Sequence, residues 1–178
     1  LGGLVPAGAA RAASLEELVG RIDEDGMRGR LEALVGERAT PEQQAATVAL
    51  LEEHLTACGY AVTKRAVAGS ENVVATLPGV AEPDRVFVVG AHFDTVAGSP
   101  GADDNASGVA GMLEIACALA GEQPAATIEF VGFALEEVGL LGSIQHANDF
   151  VISGRELAGM ISLEMIGYTC AVDCQFPF

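Results

Sequence analysis

The sequence has few basic residues and no long apolar run. Lysine and arginine together number 9, against 25 aspartate and glutamate residues, so the formal net charge is −16. Lys64 and Arg65 form the one adjacent basic pair, which is too little for a phosphate-binding patch. Because like charges repel, this balance argues against nucleic acid or an anionic membrane surface as a partner. No uncharged apolar run approaches the ~18 residues that a spanning helix needs, so we expect no membrane span.

Several motifs of catalysis and redox chemistry are also absent. None of the four cysteines forms a C-x-x-C pair, which argues against a zinc ribbon or a thioredoxin-like site. The chain has no G-x-S-x-G elbow, no H-E-x-x-H helix and no Walker loop. Cys58 and Cys117 occupy apolar helical positions, where we expect small core residues. Cys170 and Cys174 are near enough in sequence to pair, and an even count permits disulfides in a secreted protein without requiring them.

The first thirteen residues differ in character from the rest of the chain. The segment 1–13 is small and apolar, carries Arg11 near its end, and begins with Leu1 rather than methionine. It is either the tail of a removed signal peptide or a leader or fragment edge. We favour a secreted or extracytoplasmic location over a cytoplasmic one. Residues 14–178 contain no linker and no internal repeat, which predicts a single domain.

Capping motifs and apolar periodicity define the expected elements. Ser14 and Glu17 form a capping box, and Thr40, Pro41 and Gln43 mark the start of a second amphipathic helix. Further along, continuous apolar runs, typical of strands buried on both faces, alternate with helical periodicity. We expect strands at 60–67, 72–77, 86–91, 127–135 and 160–163, and helices at 107–119 and from 143 to about 151. This order predicts an α/β fold, a three-layer α/β/α sandwich with a mostly parallel central sheet.

Acidic and histidine side chains follow three of the apolar strands. His92 and Asp94 come directly after the strand at 86–91, the pair Glu136-Glu137 follows the strand at 127–135, and Glu164 follows the last strand. A further acidic pair, Asp103-Asp104, precedes the helix at 107–119. Open α/β sheets place ligands at the carboxyl ends of their strands. We therefore expect these groups to converge on one crevice.

This set of groups is chemically suited to a divalent cation. It contains one imidazole and five or six carboxylates without a lysine or arginine, and such carboxylates repel one another unless a cation or protons intervene. Imidazole with carboxylate ligands favours zinc, with manganese or cobalt as weaker alternatives. Asp94 would accept a hydrogen bond from the second ring nitrogen of His92. One carboxylate of Glu136-Glu137 would bind metal, and its neighbour would take a proton from the activated water.

Four motifs carry a resemblance to a known family. The chain contains, in this order, VVGAHFDTV, GADDNASGVAGMLEIA, FALEEVGLLGS and LEMIGY. These segments resemble metallopeptidase family 28, the co-catalytic zinc aminopeptidases related to bacterial leucyl aminopeptidase. The resemblance covers about residues 60–168. It implies a zinc-dependent exopeptidase fold and two zinc ions per complete site.

The resemblance also implies roles for individual residues. The metal ligands would be His92, Asp103, Glu137 and Glu164, with Asp103 bridging the two ions. Glu136 would be the general base, and Asp94 would hold the ring of His92. The family has a cis peptide bond after its bridging aspartate, which places one here between Asp103 and Asp104. His54 and His146 fall outside the pattern, and we expect them to be a surface residue and a structural residue.

Two departures from the family pattern bear on function. Well-studied aminopeptidases of the family commonly have aspartate at the position of Glu164, so strict aminopeptidase specificity does not follow. The last zinc ligand of the family is a histidine far downstream of the fourth motif, beyond Phe178. We therefore expect the 178-residue piece alone to bind at most one zinc tightly, to show little or no peptidase activity and to aggregate.

The function expected from these observations is hydrolysis of the N-terminal bond of a peptide or small amide by a zinc aminopeptidase. Two alternatives stay open. One is a carboxypeptidase or a glutaminyl-cyclase-like acyltransferase on the same fold, although the cyclases match less well around GADDNASG. The other is a non-catalytic binding domain, against which the intact Glu136 argues.

Overall fold

The computed structural model describes residues 12–168, which begin with three helices. These are α1 (Leu15–Val19), α2 (Glu24–Leu34) and α3 (Pro41–Ala57). Both expected capping boxes are confirmed. The Ser14 hydroxyl accepts a hydrogen bond from the backbone amide of Glu17, and the Glu17 side chain accepts one from the backbone amide of Ser14 at 2.6 Å. Thr40 and Gln43 form the same reciprocal pair. Helix starts were thus readable from local sequence, because their hydrogen bonds span only three residues.

The remaining elements alternate between strands and helices. In chain order they are β1 (Val62–Val67), β2 (Ser70–Leu77), β3 (Glu82–His92), α4 (Gly108–Leu119), β4 (Ala126–Phe133), α5 (Leu141–Ser153) and β5 (Glu156–Ser162). An irregular turn, Ala102–Ser107, precedes α4, and we call it the acidic turn. Helix α5 begins two residues earlier than expected, since Leu140 is its N-cap and the Ser143 hydroxyl donates to the Leu140 carbonyl.

The strands form one mixed sheet in the order β1-β2-β4-β3-β5. Strands β4, β3 and β5 run parallel, which is the parallel unit expected from the alternation of strands and helices. Strands β1 and β2 form an antiparallel hairpin, and β2 joins the parallel unit by antiparallel pairing with β4. The hairpin turns at Ala68 and Gly69, both with positive φ, which matches the twist of the flanking strands.

Helices cover both faces of the sheet, which confirms the three-layer arrangement. On one face α3 and α4 pack through residues such as Leu51 and Leu113 against inward side chains that include Val73 and Phe130. On the other face Phe150 of α5 joins a smaller cluster with strand valines and Phe133. Side chains of the strands alternate between these two cores because successive residues point to opposite faces. In the described part of the chain, no helix has the length and apolar character needed to cross a bilayer.

The prediction of small core residues at Cys58 and Cys117 missed their pairing, although Cys58 does pack against the core. The two cysteines form a disulfide that joins the end of α3 to α4, with their Cα atoms 5.1 Å apart. Their sequence separation of 59 left no local signal of this contact. Cys170 and Cys174, and residues 1–11 of the expected leader, lie outside the described residues.

Candidate metal centre

Three parallel strands end at the same edge of the sheet and place the polar groups there. Strand β3 ends at His92, β4 ends at Phe133 just before the glutamate pair, and β5 ends at Ser162 just before Glu164. In the sheet β3 lies between β4 and β5, so His92 is central. This is the edge where α/β sheets bind ligands.

Two carboxylates converge on one ring nitrogen of His92. His92 Nε2 lies 3.2 Å from Asp104 Oδ1 and 3.3 Å from Glu164 Oε1. The three ligand atoms lie within 4.8 Å of one another, and among the described residues this is the only such group of three or more potential ligands. Asp104 Oδ1 is buried and has no aligned hydrogen-bond donor in the described part of the chain. A single N–H cannot satisfy both oxygens, whereas one metal ion can, so the donor set fits zinc.

The expectation that Asp103 belongs to this group is not met, because its neighbour Asp104 takes that position. Asp103 Oδ1 instead accepts from the Gly167 amide at 2.9 Å and lies 2.9 Å from the Ser107 hydroxyl. Asp103 thus links the acidic turn to the segment after β5. The non-proline cis peptide bond is correspondingly Asp104–Asn105, one residue later than expected. Sequence alone did not separate two adjacent aspartates in a turn whose backbone is non-helical at Asp104 and Asn105.

Asp94 connects His92 to the loop that carries the two glutamates. Its Oδ1 and Oδ2 accept from the amides of Glu136 and Glu137 at 2.9 and 3.1 Å, and Oδ1 lies 3.5 Å from His92 Nδ1. Burial alone would raise the pKa of Asp94, but these hydrogen-bond donors lower it overall. Asp94 therefore stays ionised and can orient both His92 and the backbone of the glutamate pair.

The side chains of the glutamate pair face the same negatively charged region. Glu136 Oε2 lies 4.0 Å from His92 Nε2. Burial, followed by repulsion from Asp104, raises the pKa of Glu137. Burial is also the largest cause of a raised pKa at Glu164; the attraction of His92 opposes it, and repulsion from Asp104 adds to it. Burial would lower the pKa of His92, yet Asp94, Glu164 and Glu136 together raise it to about 9. The site therefore attracts positive charge.

Two buried asparagines hold the surrounding loops, and neither role was predicted. The side-chain nitrogen of Asn105, Nδ2, donates to the Leu163 carbonyl at 2.9 Å and to Glu164 Oε2 at 3.3 Å. Asn105 therefore restrains the side chain of Glu164. Asn72 donates to the Gly142 carbonyl at 2.8 Å and accepts from the Ala134 amide at 3.0 Å. Asn72 thereby closes the loop that contains Glu136 and Glu137. Both asparagines bind residues 58 to 70 positions away, and the sequence carries no pattern for such contacts.

The cluster opens into a cleft of about 240 Å³. Its lining includes the polar side chains of His92, Glu136 and Glu164 and the apolar side chains of Phe133, Leu140 and Met160. The two remaining histidines lie elsewhere. His146 Nε2 is 3.2 Å from Glu129, which also binds Arg155, and this arrangement agrees with the structural role expected for His146. His54 is half-buried rather than at the surface, and burial with the nearby Arg30 lowers its pKa.

Comparison with known proteins gives consistent matches. The sequence profile of peptidase family M28 matches residues 72–172. A protein of Pyrenophora teres f. teres named a probable zinc metalloprotease is 44% identical over 109 residues, which are 57% of this chain and 23% of that protein. A probable leucine aminopeptidase of Arthroderma otae is 40% identical over 109 residues, 54% of this chain and 30% of that protein. The chain thus spans less than a third of the length of these curated relatives.

Solved structures share the fold over most of the described chain. The LapA aminopeptidase of Legionella pneumophila superposes with a TM-score of 0.74 at 20% identity, over 91% of this chain and 48% of that one. A glutaminyl cyclase of Porphyromonas gingivalis superposes with a TM-score of 0.70 at 26% identity, over 82% of this chain and 60% of that one. The same fold therefore occurs in an aminopeptidase and in a glutaminyl cyclase, so the fold alone does not identify the reaction, which depends on the site residues.

Proposed function

This chain belongs to peptidase family M28, and from that membership we propose that it forms the metal-binding part of a zinc-dependent aminopeptidase. The observation that carries the proposal is the group of His92, Asp104 and Glu164, whose ligand atoms lie within 4.8 Å of one another beside Glu136. The names of the two curated relatives, a zinc metalloprotease and a leucine aminopeptidase, support the metal and the reaction class.

We assign the first zinc to His92, Asp104 and Glu164. One imidazole and two carboxylates supply three protein ligands, the number that catalytic zinc sites use while they leave a position for water or substrate. Asp104 has a second oxygen and would bridge to a second zinc, together with Glu137. Two carboxylates are too few for a zinc site, so the complete second site would need a ligand from outside residues 12–168. Two zinc ions per complete site is thus part of the proposal.

The chain's own residues divide the chemistry between them. Bound zinc supplies Lewis-acid chemistry, since it polarises the scissile carbonyl and acidifies water. Glu136 lies near the cluster but outside the group of three ligands, so its carboxylate takes the proton from the attacking water and returns it to the leaving amine. Asp94 binds the backbone amides of the glutamate pair and lies 3.5 Å from His92 Nδ1, where its charge can orient the ring. The apolar side chains of Phe133, Leu140 and Met160 line the cleft beside these groups.

A product assay tests the reaction class. The complete protein with zinc is incubated with a free peptide, the same peptide blocked at its N-terminus, and a peptide with N-terminal glutamine. We expect release of the N-terminal amino acid from the free peptide and no release from the blocked one. Release from the C-terminus of the blocked peptide would instead identify a carboxypeptidase, and no turnover of any substrate would indicate a binding domain.

The same assay tests the second candidate, a glutaminyl cyclase. The specific observation in its favour is the shared fold with the Porphyromonas gingivalis cyclase at 26% identity. A cyclase would convert the glutaminyl peptide to its pyroglutamyl form with loss of ammonia and would release no amino acid. Release of free glutamine would exclude it.

We also propose an extracytoplasmic location, supported by the disulfide between Cys58 and Cys117. Disulfides persist mainly in oxidising compartments. Mass spectrometry of alkylated protein isolated from its native source would show these two cysteines protected before reduction. Complete alkylation without reductant would contradict this location.

A further inference from the structure

Arg38 belongs to the segment that connects α2 to α3, and its side chain is buried. This segment precedes the residues that the family profile matches. We infer that Arg38 is a positioning residue of the metal centre, which sets the separation between the strand end carrying His92 and the acidic turn carrying Asp104. This inference rests on the proposed function, because it concerns the same metal site. It assigns to the N-terminal helical segment a part in building that site.

The hydrogen bonds of Arg38 connect three segments of the chain. Its Nε donates to the Phe93 carbonyl at 2.5 Å, and its Nη2 donates to the Gly101 carbonyl at 2.9 Å. Its Nη1 donates to the carbonyls of Gly36, at 2.6 Å, and Leu34. The planar fork of a guanidinium has several donors in fixed directions, so it holds all these carbonyls in one geometry.

The two distant carbonyls belong to backbone next to the proposed ligands. Phe93 lies between His92 and Asp94, and Gly101 precedes Asp104 by three residues. The Gly101 carbonyl also accepts from the Ala106 amide at 3.0 Å, so it is an anchor of the acidic turn itself. Gly101 has φ +55°, and a Cβ there would come within 2.5 Å of Arg38 Nη2. Arg38 therefore packs directly against the backbone that shapes the turn.

The main chain of Arg38 strengthens the same connection. Its amide donates to the Thr95 hydroxyl at 3.0 Å, one residue after Asp94. Both the main chain and the side chain of Arg38 are thus bound to the segment that follows β3. A small movement of Arg38 would be transmitted to both ligand-bearing segments.

The buried charge of Arg38 is balanced by acidic residues of the metal centre. Its side chain is only 3% exposed, and within the described part of the chain no carboxylate forms a direct ion pair with it. Burial lowers the pKa of Arg38, while the charges of Asp94 and Asp104 act in the opposite direction. An isolated buried charge is costly unless other groups compensate it. The compensating charges here belong to the cluster that would bind zinc.

The alternative is that Arg38 only stabilises the packing of the N-terminal helices and has no effect on the metal site. Arg30 provides a matched control for that role. It is also largely buried and joins α2 to α4 through Glu114 and Cys117, without contact to the proposed ligands. Loss of either arginine should weaken the docking of α2, but only loss of Arg38 should disturb the metal site.

The test compares Arg38→Met, Arg38→Lys and Arg30→Met in the complete protein. Zinc affinity is measured by competition with a chelator, and thermal unfolding and hydrogen exchange of the Ala106 amide are measured in the metal-free protein. We expect Arg38→Met to lower zinc affinity about 10–100-fold, as is typical when a residue that orients ligands is lost. Arg38→Lys keeps the positive charge, so it should lose less zinc affinity than Arg38→Met. The Ala106 amide should nevertheless exchange faster than in the wild type in both Arg38 variants. Arg30→Met should lower the unfolding temperature with zinc affinity within twofold of wild type.

The inference is overturned if Arg38→Met and Arg30→Met lose similar stability while both keep wild-type zinc affinity. If Arg38→Met does not fold, Arg38→Lys decides: unchanged exchange of Ala106 and unchanged zinc affinity would contradict the positioning role. If the wild-type protein binds no zinc, the proposed function fails. The exchange rate of Ala106 in metal-free Arg38→Lys would then still report whether Arg38 holds the acidic turn.

Discussion

At the residue scale, the two aspartates of the acidic turn differ in what they contact. Asp104 Oδ1 lies 3.2 Å from His92 Nε2 and is buried without an aligned donor in the described residues. Asp103 accepts from the Gly167 amide and interacts with Ser107. An asparagine can replace an acceptor of backbone hydrogen bonds, but it is a poor substitute for an anionic zinc ligand.

We therefore predict opposite results for Asp104→Asn and Asp103→Asn. Asp104→Asn should lower zinc affinity by more than the roughly 10–100-fold that is typical for residues that only orient ligands. Asp103→Asn should bind zinc within a few-fold of wild type, since its side-chain oxygen can still accept from the Gly167 amide. Chelator competition measures both affinities. If Asp103→Asn loses zinc binding and Asp104→Asn keeps it, Asp103 rather than Asp104 is the ligand.

The adjacent glutamates give a second matched pair. Glu136→Gln should lower turnover by roughly 10²–10⁴-fold, the usual contribution of a general base, while metal content stays unchanged. Glu137→Gln should instead lower the number of zinc ions bound in the complete protein. Metal analysis and kinetics on the same samples separate the two effects. Loss of zinc from Glu136→Gln with full occupancy in Glu137→Gln would show that the roles are exchanged.

At the scale of elements, the disulfide joins α3 to α4, and α4 begins directly after the acidic turn. A cross-link of this kind restricts the unfolded chain, and removing one typically costs about 2–4 kcal/mol. We predict that reductant lowers the free energy of unfolding of the wild type by this amount. The double variant Cys58→Ala/Cys117→Ala should already be less stable and should not respond to reductant. Equal stability of wild type with and without reductant would contradict the cross-link.

Local signals explain which elements were predictable from the sequence. The capping boxes at Ser14 and Thr40 were predicted correctly, and each apolar strand was found near its predicted place, although β5 begins at Glu156 rather than at 160; these signals depend on residues close in sequence. The cystine bridge was missed, as were the contacts of Asn72 and Arg38, because these residues meet partners about 55–70 positions away. At the metal centre, strand ends predicted the location, while the choice between Asp103 and Asp104 depended on the path of a non-helical turn.

At the scale of the whole molecule, the described surface exposes apolar side chains along β5. Leu157, Met160 and Ile161 are 45%, 46% and 59% exposed, on a strand that pairs only with β3 among the described elements. Unpaired strand edges with apolar side chains promote association. We predict that the 178-residue chain produced alone self-associates, as light scattering after size-exclusion chromatography would show. Replacing Ile161 with lysine should reduce this association, whereas a monomeric wild-type chain would contradict the prediction.

The central claim is that the edge of the sheet formed by β3, β4 and β5 binds zinc through His92, Asp104 and Glu164. The most direct measurement is an anomalous difference map of the complete protein crystallised with zinc, recorded on both sides of the zinc absorption edge. We predict a peak about 2 Å from His92 Nε2 and from a carboxylate oxygen of Asp104 and of Glu164. A zinc peak bound by Asp103, or no peak at this edge of the sheet, would contradict the account.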